Sequence, residues 1–155
     1  MIARVVALGQ RTAGDDGVGP AILDRLREIA PPRVELVELA EASALILMIG
    51  SPVPLVVIDA VVIDGRSPGD LVELDAADLP PRTRALSTHG IDLPQAIAIG
   101  RTLAPLGPCA PAIRIVGVVI APPDGITSGL SPRVADAIPG ATRAVLALLG
   151  RCRRV

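Results

Sequence analysis

Apolar and polar positions change their period along the chain, and the change separates strands from helices. Residues 2–8 form a short apolar run closed by Gly9, which predicts a first strand. A polar loop follows over 9–17, Gly-Gln-Arg-Thr-Ala-Gly-Asp-Asp-Gly. Val18, Ile22, Leu26 and Ile29 then recur at three- and four-residue spacing, with Asp24, Arg25, Arg27 and Glu28 between them. That spacing predicts an amphipathic helix, with Pro20 in its first turn and Pro31-Pro32 ending it. Residues 34–39 alternate apolar and acidic positions, as a strand exposed on one face does. A short apolar helix is expected over 41–49, closed by Gly50 and Pro52.

Residues 55–58, Leu-Val-Val-Ile, form a wholly apolar run of buried parallel-strand character that ends at Asp59. Residues 71–74 read as a short edge strand and 80–90 as a loop. Leu93, Ala96, Ile97 and Leu103 mark another helix, and 113–120 the last buried strand. Residues 132–149 predict a final helix, kinked or split at Pro139-Gly140. Strands alternating with helices imply right-handed crossovers. The expected fold is therefore an α/β, three-layer sandwich with a mainly parallel twisted sheet, as one domain over residues 1–155. The echo of Val56-Val-Ile-Asp59 in Val61-Val-Ile-Asp64 is too short to be an architectural repeat.

Composition narrows the function classes. Half of the residues are apolar, yet Phe, Tyr and Trp are all absent, so the core is built from Val, Ile, Leu and Ala. The 15 basic and 16 acidic residues leave a net charge of −1. That balance gives no electrostatic footprint for nucleic acid, and without aromatics there is no base-stacking platform. Mean hydropathy is high, at +0.56. Even so, the longest uncharged stretch, 42–58, is broken by Gly50, Ser51, Pro52 and Pro54, whereas a spanning helix needs about 20 apolar residues. The first residues are too short for a secretory apolar region and contain Arg4. Cys109 and Cys152 form no Cys-x-x-Cys. Both are expected to be structural thiols in a reduced, cytoplasmic monomer.

Candidate chemistry follows from where ligands bind in open parallel sheets, outside the carboxyl ends of the strands. Asp15 and Asp16 follow the first strand, Asp59 follows the third, and His89 precedes the helix at Leu93. Two carboxylates and an imidazole on one rim make a three-ligand site for a divalent transition metal such as nickel or zinc. Plainer roles compete with that one. Asp15 or Asp16 could cap the helix at Val18, Asp59 could form a turn as Asp64-Gly65 does, and His89 could be a surface residue. No dinucleotide fingerprint, phosphate loop, nucleophile elbow or His-Glu-x-x-His helix is present.

The ordered set Leu8-Gly9, Asp15-Asp16-Gly-Val-Gly19, Val-Val-Ile-Asp59-Ala, Ser87-Thr-His89-Gly, Val116-Gly-Val-Val and Gly129-Leu-Ser-Pro132 resembles the nickel–iron hydrogenase maturation endopeptidases. The likeness runs over essentially the whole chain. It implies a protease, classed with aspartic-type endopeptidases, that removes the C-terminal peptide of the hydrogenase large-subunit precursor after nickel insertion. It also places the family's metal-binding and catalytic residues on Asp16, Asp59 and His89, with nickel supplied by the precursor and no organic cofactor. The chain departs from the family at Ala7-Leu-Gly9-Gln10, where Gly-x-Gly-Asn is usual. It departs again at 38–43, Glu-Leu-Ala-Glu-Ala-Ser, in a segment associated with substrate recognition. Two other functions stay open from sequence: a non-cleaving protein that recognises a metallated partner, and a Rossmann-like nucleotide-binding module.

Overall fold

The computed structural model describes residues 3–79, 90–105, 110–125 and 127–152. Five strands, β1 (Ala3–Leu8), β2 (Val34–Leu39), β3 (Leu55–Val61), β4 (Leu71–Asp75) and β5 (Ile113–Val119), form one sheet in the order β2-β1-β3-β5-β4. All neighbouring pairs are parallel except β4 with β5. The central strands β1, β3 and β5 are buried along nearly their whole length, whereas every residue of β2 is only partly buried. Their sequences follow from this: continuous apolar runs in the centre, and acidic alternation at the edge. The strand order reverses direction between β1 and β3, which opens a crevice at their carboxyl ends.

Helices α1 (Val18–Ile29) and α4 (Pro132–Cys152) pack on one face. They bury Ile22, Leu23, Leu26, Val145 and Leu149 against Val5, Val56, Ile58 and Val118. The short helix α2 (Ile46–Ile49) and α3 (Leu93–Leu103) cover the other face, where Leu45, Ile49, Leu93 and Ile97 meet Val6, Val57 and Ile115. Each fully buried aliphatic side chain contributes on the order of 1.5–3 kcal/mol, so the two clusters account for an aromatic-free core. Three layers and a mainly parallel sheet are what the sequence pattern predicts.

Two local expectations are corrected. The run ending at Asp59 continues, because Ala60 and Val61 still pair with Val118 and Val119; Asp59 lies inside β3, opposite Gly117. The final helix is neither split nor ended at Pro139. Pro139 sits on the exposed side, while Ala137 and Ala141 keep the buried face continuous on either side of it. Packing of that face outweighs the hydrogen bond that proline forfeits. Leu103, which with Leu93, Ala96 and Ile97 marks α3 in the sequence, is its last residue and is 72% exposed.

Capping explains where α3 begins. Asp92 accepts a hydrogen bond from the Gln95 amide at 2.8 Å, and the Gln95 side chain accepts one from the Asp92 amide at 3.1 Å. With Pro94 inside the first turn, this capping box sets the direction in which the chain enters the helix. The expected 80–90 loop and its His89 lie outside the described residues, except for Gly90. Cys109 lies outside them as well.

Candidate active site

The loop after β1 is wound tightly onto the sheet edge by glycine. Gly9 has φ of +130°, and a β-carbon there would stand 2.0 Å from the Asp16 carbonyl oxygen. Residues Gly14–Gly17 then form a single 3-10 turn that carries Asp15 and Asp16, and α1 starts directly after it. Glycine at 19 lets α1 begin against the ends of two strands: a β-carbon there would meet the Leu8 carbonyl oxygen at 2.4 Å and that of Ile58 at 3.3 Å. The turn is thereby held beside the carboxyl end of β3, where Asp59 stands.

Neither aspartate caps α1, whose N-terminus carries no side-chain hydrogen bond. Asp16 accepts a hydrogen bond from the Gln10 amide at 2.9 Å. Asp15 turns the other way and bonds Ser131, at 2.6 Å to its amide and 2.9 Å to its hydroxyl. Sequence reading missed that pair. Two residues so far apart in the chain have no periodicity in common, and the only clue was Ser-Pro at a helix start. Beside it opens a groove of about 490 Å³, lined by Asp15, Pro68, Ala121, Ser131, Pro132 and Arg133.

Asp59 shares its parity along β3 with Leu55 and Val57, so its side chain faces the α2–α3 layer. Its pKa is pushed up to about 7. Burial is the main cause, and the nearby Asp16 carboxylate adds to it; a hydrogen bond from the Ala60 amide works in the opposite direction. Asp16 and Asp59 are therefore brought together on one rim, as the strand-end rule predicts. The other echoed aspartate, Asp64, is an exposed turn residue followed by Gly65 at φ +79°. Among the described residues no cation pairs with Asp16 or Asp59, and no three potential metal ligands converge. Two close carboxylates of which one is hard to ionise, with no counter-charge among the described residues, suit a divalent cation.

A second cluster borders the same loop. The Arg11 guanidinium forks onto Asp24 of α1, at 2.7 and 2.9 Å, and onto Glu38 of β2, at 2.7 Å twice. Arg27 also pairs with both carboxylates. These bonds hold the carboxyls of Asp24 and Glu38 below the usual range and push the Arg11 pKa upward. The acidic head of the atypical 38–43 segment is thus tied to the loop that carries Asp16.

The family model for hydrogenase maturation protease, HycI, matches residues 21–148. The chain belongs to the hydrogenase maturation protease family, a family of endopeptidases. The matched span contains Asp59 and His89 and begins just after the Asp15-Asp16 turn. Solved structures extend the likeness over that turn. The hydrogenase maturating endopeptidase HybD from Escherichia coli is 25% identical, with a TM-score of 0.73 over 97% of this chain and 93% of that one. The [NiFe] hydrogenase maturation protease HybD from Thermococcus kodakarensis shares the fold at 22% identity and a TM-score of 0.67, covering 96% of this chain and 99% of that one. The HycI protease of the same organism does so at 19% and 0.71, covering 96% and 92%. No curated protein matches the sequence closely. Among the described residues no helix is long and apolar enough to cross a membrane.

Proposed function

We propose that this protease removes the C-terminal peptide of a nickel–iron hydrogenase large-subunit precursor in the cytoplasm, after nickel has been inserted. The observation that supports the reading is the pair Asp16–Asp59, two carboxylates on one rim with no counter-charge among the described residues, in a chain of this family. Asp16, Asp59 and His89 would hold the metal, which when bound polarises the scissile carbonyl or lowers the pKa of a bound water. Nickel arrives with the precursor, as part of the substrate. Asp59, with its pKa pushed up to about 7, can hold a proton at neutral pH. Asp16, fixed by the Gln10 amide, keeps one oxygen for the rim.

A nucleotide in this crevice is disfavoured, because the carboxylates at the strand ends repel phosphate where a dinucleotide loop would present backbone amides. The non-cleaving alternative draws on Glu38, which is occupied by Arg11 and Arg27. Incubating the purified protein with nickel-loaded and nickel-free precursor separates these readings. A shortened large subunit only in the nickel-loaded reaction supports proteolysis. Stable binding with no shortening overturns it in favour of the binding protein.

A further inference from the structure

The two adjacent aspartates of the first turn are used in opposite directions. Both carboxylate oxygens of Asp15 are spent on one residue, Ser131, which donates its amide to one and its hydroxyl to the other. Ser131 is the residue from which α4 starts: its carbonyl accepts the first helical hydrogen bond, from the Ala135 amide at 2.9 Å. The contact between the two loops is not confined to this pair. Gly14, with φ of +59°, approaches so closely that a β-carbon would stand 2.5 Å from the Thr127 hydroxyl. Gly129, with φ of +76°, turns the chain back towards Ser131. The loop before α4 therefore grips the Gly14–Gly17 turn at two successive residues.

Asp16 shares that turn. Within a 3-10 turn, neighbouring residues have no independent freedom, so fixing the side chain and backbone of Asp15 fixes the direction in which Asp16 leaves the chain. Among the described residues, the hydrogen bond that holds the Asp16 side chain comes from the Gln10 amide. We infer that Asp15 and Ser131 are positioning residues: their two hydrogen bonds aim the Asp16 carboxylate at the rim shared with Asp59. The pair acts through the turn, and it links the site to α4, which packs along α1 on the same sheet face. This inference rests on the reading of Asp16 as a site residue.

The test compares Asp15→Ala, Ser131→Ala and Ser131→Thr in the full chain. The Gln10 amide, which donates to Asp16, reports the position of that carboxylate by NMR. In Asp15→Ala the Gln10 amide proton should shift upfield and exchange with solvent about tenfold faster or more, the size expected when one charge-assisted hydrogen bond is loosened. Single-turnover processing of nickel-loaded precursor should fall by a similar factor with precursor affinity unchanged. Ser131→Ala, which keeps the amide donor, should show a smaller effect and remains informative if Asp15→Ala does not fold. Ser131→Thr keeps both donors and should match the parent. A lower Tm with the Gln10 signal unmoved would overturn the inference and leave the pair as an anchor of α4 alone. A shifted Gln10 signal with no loss of processing would overturn the role of Asp16 in the proposed function while leaving its positioning intact.

Discussion

Gly19 is packed against the Leu8 carbonyl so tightly that a β-carbon would stand 2.4 Å from its oxygen. The contact has no slack, because the obstacle is backbone in a buried central strand. Gly19→Ala should force α1 and the preceding turn away from the sheet. Overpacking of this kind costs about 1–3 kcal/mol. For a chain of this size that lowers Tm by roughly 2–4 °C per kcal/mol. Gly150→Ala, in an open and exposed position of α4, should be neutral or gain about 0.5–1 kcal/mol from helix propensity. Thermal unfolding of both variants checks the contrast, and equal Tm values would refute the close-approach reading.

Asp59 makes stability depend on pH in a direction opposite to that of most carboxylates. Its pKa rises from an ordinary value near 4 in the unfolded chain to about 7 when folded. Between these values the folded state binds the extra proton, so the contribution of Asp59 to stability is fully present below about pH 4 and is lost as pH rises through about 7. The limiting slope is about 1.4 kcal/mol per pH unit. Asp59→Asn should remove that slope and be relatively more stable above pH 7. Denaturant unfolding at a series of pH values measures it. An unchanged slope between pH 4 and 7 in the variant would contradict the burial and the repulsion from Asp16.

Arg11, Asp24, Glu38 and Arg27 form a surface network, and its effect should be modest and salt-dependent. Asp24 and Glu38 have lowered pKa values, so their contribution is present above about pH 4 and lost on acidification below it. Arg11→Met removes both bidentate contacts and should lower stability slightly at low ionic strength. In 1 M salt the difference should shrink, because the screening length falls to roughly 3 Å. Paired urea titrations at the two salt concentrations read the change. A cost independent of salt would mean that Arg11 acts through packing of its stem.

Most of the architecture was legible because each central strand is a wholly apolar run and each main helix has an apolar stripe. The edge position of β2 showed in its acidic alternation, Val34-Glu-Leu-Val-Glu-Leu39. What sequence could not give depends on partners distant in the chain. Asp59 looked like a strand end because an acidic residue ordinarily closes an apolar run, but it pairs with Gly117 and the strand continues through Ala60 and Val61 against Val118 and Val119. Asp15 and Asp16 looked interchangeable as helix caps. Only the folded loops show that one is bonded to Ser131 and the other faces the rim. Pro139 was legible as a defect, but the apolar face that carries the helix through it is a tertiary effect.

The site's donor set also fixes how it should behave towards metal. Metal centres that keep their ion through purification have three or four strong ligands, often several imidazoles or thiolates, supported by ordered neighbours. Here the ligand set would be two carboxylates and His89, and the described cysteine, Cys152, lies at the far end of α4. One of the carboxylates also resists ionisation at neutral pH, and a metal must displace its proton. Protein purified without added metal should therefore carry well under one equivalent of nickel or zinc, and nickel alone should bind weakly in calorimetry, more weakly still at pH 6 than at pH 8. Nickel-loaded precursor should bind far better than nickel-free precursor, because its own ligands complete the coordination sphere. His89→Ala should abolish both that preference and processing while Tm stays near that of the parent, since the proposed role of the imidazole is ligation rather than packing. A stoichiometric, chelator-resistant metal in the isolated protein would exclude this arrangement. Full processing by His89→Ala would remove the imidazole from the ligand set.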